Sequence, residues 1–570
     1  MFSAGLALVT LTSFTPSAFG QATVTVDSTI IYQTMTGWEA VAYAAHDTSP
    51  YSLDYSPAFP HFREVVFDSV VNEAGLDRLR LEIRSGGEND LDNWTLYQTG
   101  QIDYATWRSR RYATVNDNSD PFDIDWNGFH FSEMDTTIER VVLPIKQRVE
   151  ANGEHLHLNL NYVAFTGQIG GGQGYHHDDP EEYAEYVLAT FLHLESRYSW
   201  VPDTWELILE PDNVSQWNGT LIGQAIVATA NRLIAHGFSP AFVVPSNTNM
   251  GNAISYFDAL IQVPGALSHV SEFSYHRYGG VSDTNLQAIA SRGESYGVGT
   301  AMLEWWSSAN GYEILHKDLK MGRNSAWQQG SVCGIWHGSP GMTFYWVDDT
   351  DPVNPVVWIN DKTKFTRQYY KFIRQGARRI EAGTDNAGFD PLAFINRNGT
   401  VIVVVKTDGG GDLLVEGLPA GDYGTMYTTN SQYNVNLPDQ HLTAGENLMT
   451  AIPDGGVMTV YGKISTTDTP DDQRPNEPVL SCLYQNQPNP FNPQTTIRYS
   501  LTRESKVCIE IFDMAGRSLR TLLDEIVSAG EQQVVWDGAD DAGKLVPSGV
   551  YFYRLEAAGS VEIRKMVLAK

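Results

Sequence analysis

His155–Val163 (HLHLNLNYV), residues 179–194 (DPEEYAEYVLATFLHL) and Trp205–Glu210 (WELILE) read in succession as strand, helix and strand. Asp179-Pro180 supplies an N-cap and a first-turn residue, and Ala184, Val187, Leu188, Phe191 and Leu194 then recur at helical spacing. A strand, a helix and a returning strand form the repeating unit of parallel α/β folds. The same alternation extends both ways. Upstream lie Thr36–Ala42 and Asp77–Arg84; downstream lie Ala241–Ser246, Val270–His276, Thr300–Trp305 and Met342–Val347. A second helix starts near Thr220, carries Ile222, Ile226, Leu233 and Ile234 on one face, and closes at Gly237. Eight strands between residues 35 and 376 suit an α/β fold of the (β/α)8 TIM-barrel type. A doubly wound open sheet competes, but no GxGxxG fingerprint supports it.

The flanking segments have a different period. Val401–Lys406, Leu413–Leu418, Tyr423–Thr428 and Val457–Lys463 alternate with period two between Gly, Pro, Asn and Asp turns, which predicts a β-sandwich side domain over 377–464. Ala22–Val26 and Thr29–Gln33 read as two more strands, so 22–34 joins that domain. Residues 465–478 (STTDTPDDQRPNEP) have the composition of a linker, and 479–570 reads as a final all-β domain. At the other end, Gly5–Leu11 is apolar and Ser17-Ala18-Phe19-Gly20 offers a cleavage site before Gln21. Residues 1–20 therefore read as an export signal, although no Lys or Arg precedes the apolar core.

Composition narrows the function. The 570 residues carry 38 basic and 68 acidic side chains, a net charge of −30, which argues against nucleic acid or an anionic membrane as partner. With 42% hydrophobic and 19% charged residues the chain can bury large cores. Apart from the N-terminal patch no run is long and apolar enough for a transmembrane segment. Cys333, Cys482 and Cys508 are too few for a disulfide framework and lack zinc-site spacing.

The last ninety or so residues hold a distinctive series: Gln485-Asn486-Gln487-Pro488-Asn489-Pro490-Phe491-Asn492-Pro493, Ile509–Gly516, Trp536-Asp537-Gly538, Ser548-Gly549-Val550-Tyr551-Phe552-Tyr553 and Lys565-Met566-Val567-Leu568. This resembles the immunoglobulin-like C-terminal sorting domain of type IX secretion cargo. The resemblance implies a secreted or cell-surface protein with the type IX machinery as partner. Asp537, Asp540 and Asp541 lack the spacing of a calcium loop and read as turn residues, while Trp536, Tyr551 and Tyr553 would fill a sandwich core.

In the barrel, two carboxylates end apolar strands, where barrel enzymes place their chemistry: Glu210, before Pro211-Asp212-Asn213, and Glu304, before Trp305-Trp306. A carboxyl desolvated on one side favours its protonated form, as a general acid for a glycosidic oxygen requires, while its partner stays ionised. Phe273–Gly279 (FSYHRYG) ends the sixth predicted strand and Phe344-Tyr345-Trp346 the eighth.

This set resembles the clan A retaining glycoside hydrolases, and within them family 30, over residues 22 to 463. The resemblance implies Glu210 as acid/base, Glu304 as nucleophile, His276 or Tyr278 orienting Glu304, and Trp346 flooring the subsite of the cleaved sugar. Gly37-Trp38 and Phe372–Ile380 (FIRQGARRI) strengthen it, and Trp38 and Trp305 join the substrate-binding candidates. Arg80, Glu82 and Arg84 share one strand face; Arg80, with Arg84 second, is the match for an Arg that holds the nucleophile's charge, a structural ion-pair ladder being the alternative. The clan's Asn before the acid/base is Leu209 here, which leaves the sugar contact to Asn213, Asn159 or Asn161, or to none. Glu272 is a weaker nucleophile candidate, lying below the barrel rim.

The implied protein is a secreted retaining β-glycoside hydrolase acting on a polysaccharide or oligosaccharide, needing no metal and no organic cofactor. A non-catalytic surface carbohydrate-binding protein on a barrel scaffold is the alternative. Trp94, Tyr97, Tyr104, Trp107 and Tyr112 read either as a sugar-stacking platform or as loop packing. His176-His177-Asp178-Asp179 suits capping or loop roles better than a metal, and Cys333 reads as a buried small residue.

Overall fold

The computed structural model describes residues 22–45, 55–463 except 310, 337, 339 and 340, and 481–569 except 484, 485, 487, 490, 502–504, 514–516, 529, 558 and 559. The expected export signal and linker lie outside these residues. The chain divides into two units, Met1–Ser465 and Thr466–Lys570.

In the first unit β1 (Ala22–Thr34) precedes a closed parallel barrel. Its eight strands are β2 (Gly37–Ala44), β3 (Arg78–Arg84), β4 (His157–Val163), β5 (Thr204–Glu206), β6 (Phe242–Asn249), β7 (Val270–Gly279), β8 (Gly299–Glu304) and β9 (Asn324–Ile335). Closure comes through β9, which pairs with both β8 and β2. This corrects the expected eighth strand. Met342–Val347 corresponds to β10 (Thr343–Asp348), which lies outside the barrel and pairs in parallel with the upper half of β9 before β11 (Val356–Ile359) edges the sheet. The true eighth strand is polar in sequence because its glutamines bond inside the protein: Gln328 donates to Glu39, and Gln329 to Thr363 and the Thr343 carbonyl. The helices Pro180–Tyr198 and Gly219–Ala235 stand where expected, capped by Asp179 and Asn218.

The barrel lumen is layered with charge. Arg78 donates to Glu39 at 2.6 Å and, through both terminal nitrogens, to Glu272 at 2.7 and 2.8 Å. Asn159 bridges Glu39 and Glu206 and accepts from Thr204. Burial pushes the Glu39 carboxyl up against the pull of Arg78, whereas Arg78 outweighs burial at Glu272 and holds it down. Glu272 is thus spent on a structural pair, and Asn159 on the layer below the rim. Breaking a buried ion pair strands its partner, so Arg78→Met should cost about 3–5 kcal/mol. Thermal unfolding followed by tryptophan fluorescence checks this; an unchanged midpoint would show that the lumen tolerates two unpaired carboxylates.

The side domain is one nine-stranded sheet. β1 runs through it as a single strand with register irregularities after Asp27 and Ile31, where two strands were expected. Arg378–Thr384, Phe389–Ile395, Val435–Leu442 and Leu448–Ile452 are strands that the sequence reading missed. Alternation explains the packing of Val401–Thr407: Val401, Val403 and Val405 fill the sheet's own core, while Ile402 and Val404 join the barrel's hydrophobic cluster.

The second unit packs a three-stranded and a four-stranded antiparallel sheet around Trp536, Tyr551, Tyr553 and Ile509. Its acidic residues serve turns as expected: Asp540 accepts from the Ala542 and Lys544 N–H groups, and Asp537 from Ala539 and Arg520.

Candidate active site

The site is built at the C-terminal ends of β3–β9. β5 stops at Glu206, yet the chain stays docked between its neighbours, because the Leu207 N–H donates to Val243, Leu209 to Tyr162 and Glu210 to Ser246. Pro211 disfavours the right-handed helical region at Glu210, which takes φ 51° and ψ 58°. Ser246, its backbone partner, has φ 56°. Two left-handed non-glycine residues joined by one hydrogen bond cost about 1–3 kcal/mol each, strain of the kind that clusters at functional sites. The turn leaves Glu210 buried, one carboxylate oxygen accepting from Asn213 Nδ2 at 2.8 Å and the other 3.2 Å from His276 Nδ1.

Glu304 is the last residue of β8. Tyr275 pairs with Met302, but His276 pairs with Glu304, so the register slips by one residue. Such an irregularity re-aims a side chain. Leu303 faces the lumen with Val243, Ala301 and Ala326, and Glu304 also meets lumen groups above it. One carboxylate oxygen accepts from Arg80 at 2.6 Å and the other from the Tyr278 hydroxyl at 2.9 Å, which in turn accepts from the Trp306 N–H. Burial pushes the Glu304 carboxyl up, but Arg80, His276 and the two hydrogen bonds outweigh it and hold it below the usual range. Burial pulls His276 down, and the hydrogen bond to Glu210 with the charges of Glu304, Glu210 and Glu206 outweighs that, so its imidazole sits above its ordinary value.

Ligand atoms of Glu210, His276 and Glu304 lie within 4.8 Å of one another. That spacing also suits a metal ion, but Glu304 already pairs with the Arg80 guanidinium, whose charge opposes a second cation. Two carboxylates in one cleft, one held ionised by an arginine and one beside an imidazole, can divide nucleophilic and proton-transfer work between them.

Not every candidate converges here. Arg84 donates to Glu133 and Tyr112 instead, which leaves Arg80 as the partner of Glu304. Trp38 is fully buried, donates to the Ile373 carbonyl and packs on Tyr370, a core position on the outer side of the barrel. His276 and Tyr278 divide the role expected of either: Tyr278 holds Glu304 and His276 holds Glu210. Trp305 lies against Arg277 beside the site. Asn161 is fully buried near the top of β4, and neither amide atom has a partner. Leu209 turns away, packing with Tyr112 and Val163.

Trp346 is not on the eighth barrel strand but on β10. The residue that follows the eighth strand is Trp336, unnoticed in sequence. It is 38% exposed and meets Trp346 edge-on at 5.1 Å, with Trp358 at 5.8 Å. Asn247, beside Ser246, was also missed; it is buried, with both amide atoms unpartnered. Its place directly after the expected strand Ala241–Ser246 was its only signal.

The aromatic segment packs on itself, Tyr97 stacking on Trp107 at 5.4 Å and Trp94 meeting Trp107 at 5.7 Å. His177 is buried between Glu88 and Tyr162, and Asp179 caps its helix. Burial pushes the Cys333 thiol up.

Residues 491–560 match the family model of the FlgD Ig-like domain. Comparison with curated protein sequences returns no match. Among solved structures, the fold is similar to the catalytic domain of GH30 xylanase C from Talaromyces cellulolyticus (TM-score 0.55, 13% identity, 78% of this chain and 100% of that one). It is also similar to a GH30 endoxylanase from Clostridium papyrosolvens (TM-score 0.53, 16% identity, 78% and 100%) and to an endo-β-1,6-glucanase (TM-score 0.53, 15% identity, 78% and 94%). At these identities the likeness is one of fold.

Proposed function

We propose that the chain is a retaining β-glycoside hydrolase acting on a polysaccharide or oligosaccharide. The observation that carries this reading is the approach of the Glu210 and Glu304 carboxylates to within 4.8 Å. Retaining enzymes hold their carboxyls about 5–5.5 Å apart, whereas inverting ones need about 6.5–9.5 Å to admit a water. The glycosidase fold of the similar structures supports it.

In this mechanism Glu304, kept ionised by Arg80 and Tyr278, attacks the anomeric carbon and forms a glycosyl-enzyme bond as the glycosidic C–O bond breaks. Glu210 gives its proton to the leaving oxygen. Glu210 then takes a proton from an incoming water, whose oxygen attacks the same carbon and releases Glu304. His276 orients Glu210. Asn161, its amide free where Asn159 and Asn213 are committed, is the candidate to stand in for the missing Asn at 209. Trp336, buttressed by Trp346, stacks on a sugar ring. The C-terminal unit, Ig-like in fold, serves type IX export to the cell surface in this reading.

Reducing-end release from a panel of β-glycans by the full chain, Glu304→Gln and Glu210→Gln tests the proposal. Cleavage of one glycan, abolished in both variants, is the expected result. Equal binding of a glycan by all three proteins without cleavage would replace it with the carbohydrate-binding reading.

A further inference from the structure

Two carboxylates share Arg80. Its Nη2 donates to Glu304 Oε2 at 2.6 Å and, less closely, to Glu82 Oε1 at 3.4 Å, while Nη1 reaches the Leu303 carbonyl at 3.3 Å. The Arg80 side chain is fully buried, and those of Glu304 and Glu82 are nearly so. Arg84 also approaches Glu82, at 3.8 Å, but gives its close contacts to Glu133 at 2.6 Å and to the Tyr112 hydroxyl at 3.2 Å. Neither arginine spends its shortest contact on Glu82. What fixes this carboxylate is Tyr43, whose hydroxyl donates to Oε2; burial and the Glu82 charge push that hydroxyl well above its ordinary value, so it stays a donor.

The retaining reaction, on which this inference rests, removes one of the two charges. As Glu304 bonds to the anomeric carbon and the glycosidic C–O bond breaks, its carboxylate becomes a neutral ester. The leaving oxygen takes the proton of Glu210, so the negative charge passes to Glu210. Glu210 faces His276 and Asn213, not Arg80. Arg80 is then a buried guanidinium whose closest partner has lost its charge, and a buried pair broken in this way is costly. Glu206 and Glu39 also act on Arg80, but neither hydrogen-bonds to it.

We propose that Glu82 is a positioning residue that receives Arg80 in the glycosyl-enzyme: the guanidinium closes the 3.4 Å gap to Glu82 when Glu304 is esterified, and returns to Glu304 when water releases it. A charge-assisted hydrogen bond is about 2.7–2.9 Å long, so the movement needed is small. Glu82 stands two residues from Arg80 on the same face of β3, and Tyr43 keeps it in place throughout. The handover lowers the energy of the covalent intermediate relative to the free protein, because no buried cation is stranded while the ester exists.

Two measurements on the full chain test this. Thermal unfolding of Glu82→Gln, Glu304→Gln and the two combined needs no substrate, Glu304→Gln standing for the nucleophile without its charge. The midpoint of the combined variant should fall by about 3 °C more than the two single shifts together, because only there does Arg80 touch no carboxylate. Additive shifts would overturn the proposal. The second measurement is the lifetime of the glycosyl-enzyme, followed by intact mass after mixing with the dinitrophenyl glycoside of the oligosaccharide that the panel releases. The adduct of Glu210→Ala should decay about tenfold faster once Glu82→Gln is added, while Glu82→Gln alone lowers kcat/KM about tenfold. A destabilised intermediate gives these opposite signs, whereas a residue that merely shapes the site slows both steps. An adduct that decays no faster would overturn the proposal. If the combined thermal variant does not fold although both single variants do, that is the extreme of the expected coupling, and the adduct lifetime decides. Absence of any adduct in Glu210→Ala itself would sink the retaining reading, and the handover with it.

Discussion

Glu304→Ala is expected to lose at least about 10^4-fold in kcat on the glycan that the intact protein cleaves, because it removes the covalent route itself. The cavity left by the side chain admits a small anion, so added azide should restore part of the rate. Attack by azide from the vacated side yields the α-glycosyl azide. Glu210→Ala behaves differently. The glycosyl-enzyme still forms with an activated leaving group that needs no proton, and azide then intercepts it from the opposite face, giving the β-glycosyl azide. Loss of a general acid/base costs about 10²–10⁴-fold, and most on poor leaving groups. The anomeric configuration of the two products, read by NMR, separates the roles assigned here. The same configuration from both variants would refute the division between Glu304 and Glu210.

Arg80→Gln should produce the next largest effect, and chiefly as a displacement in pH. Arg80 is among the groups that keep Glu304 below the usual carboxylate range against the push of burial. Without it the Glu304 pKa rises, because the nearest opposing charge is gone while burial remains. The acidic limb of the kcat/KM profile therefore moves to higher pH, and the variant recovers part of its activity as pH rises. Stability follows the same sign. A carboxylate with a depressed folded-state pKa stabilises the fold above its unfolded pKa, and that contribution is lost as pH falls through the folded value. In Arg80→Gln the contribution reverses, since a buried carboxylate without its cation favours the protonated form. The variant should thus be more stable in mild acid than at neutral pH. A pH profile identical in shape to that of the parent would show that Arg80 does not hold the Glu304 charge.

The residues explain what was legible in the sequence and what was not. Seven barrel strands show as apolar runs because their outward faces meet helices and only their inward faces carry polar groups. The eighth, Asn324–Ile335, hides its strand character because Gln328 and Gln329 are paired with buried partners that lie far off in the chain. Thr343–Asp348 has the better strand sequence and a place outside the barrel. Glu210 and Glu304 are visible because an isolated carboxylate after an apolar run is uncommon. What aims them is not visible: a left-handed turn at one and a slipped register at the other are set by neighbouring strands. Trp38 shows the converse, its place at the start of the first barrel strand telling nothing of which way its ring faces.

The position of β1 bears on how the chain folds. It occupies the interior of the side sheet, pairing with residues 378–384 on one edge and 411–416 on the other, though it precedes the whole barrel in the chain. The sheet therefore waits for more than three hundred residues of intervening chain, and the entropy of closing that loop has to be met before either pairing is gained. It acts as a clasp. A chain cut short anywhere in the barrel leaves β1 with two open edges.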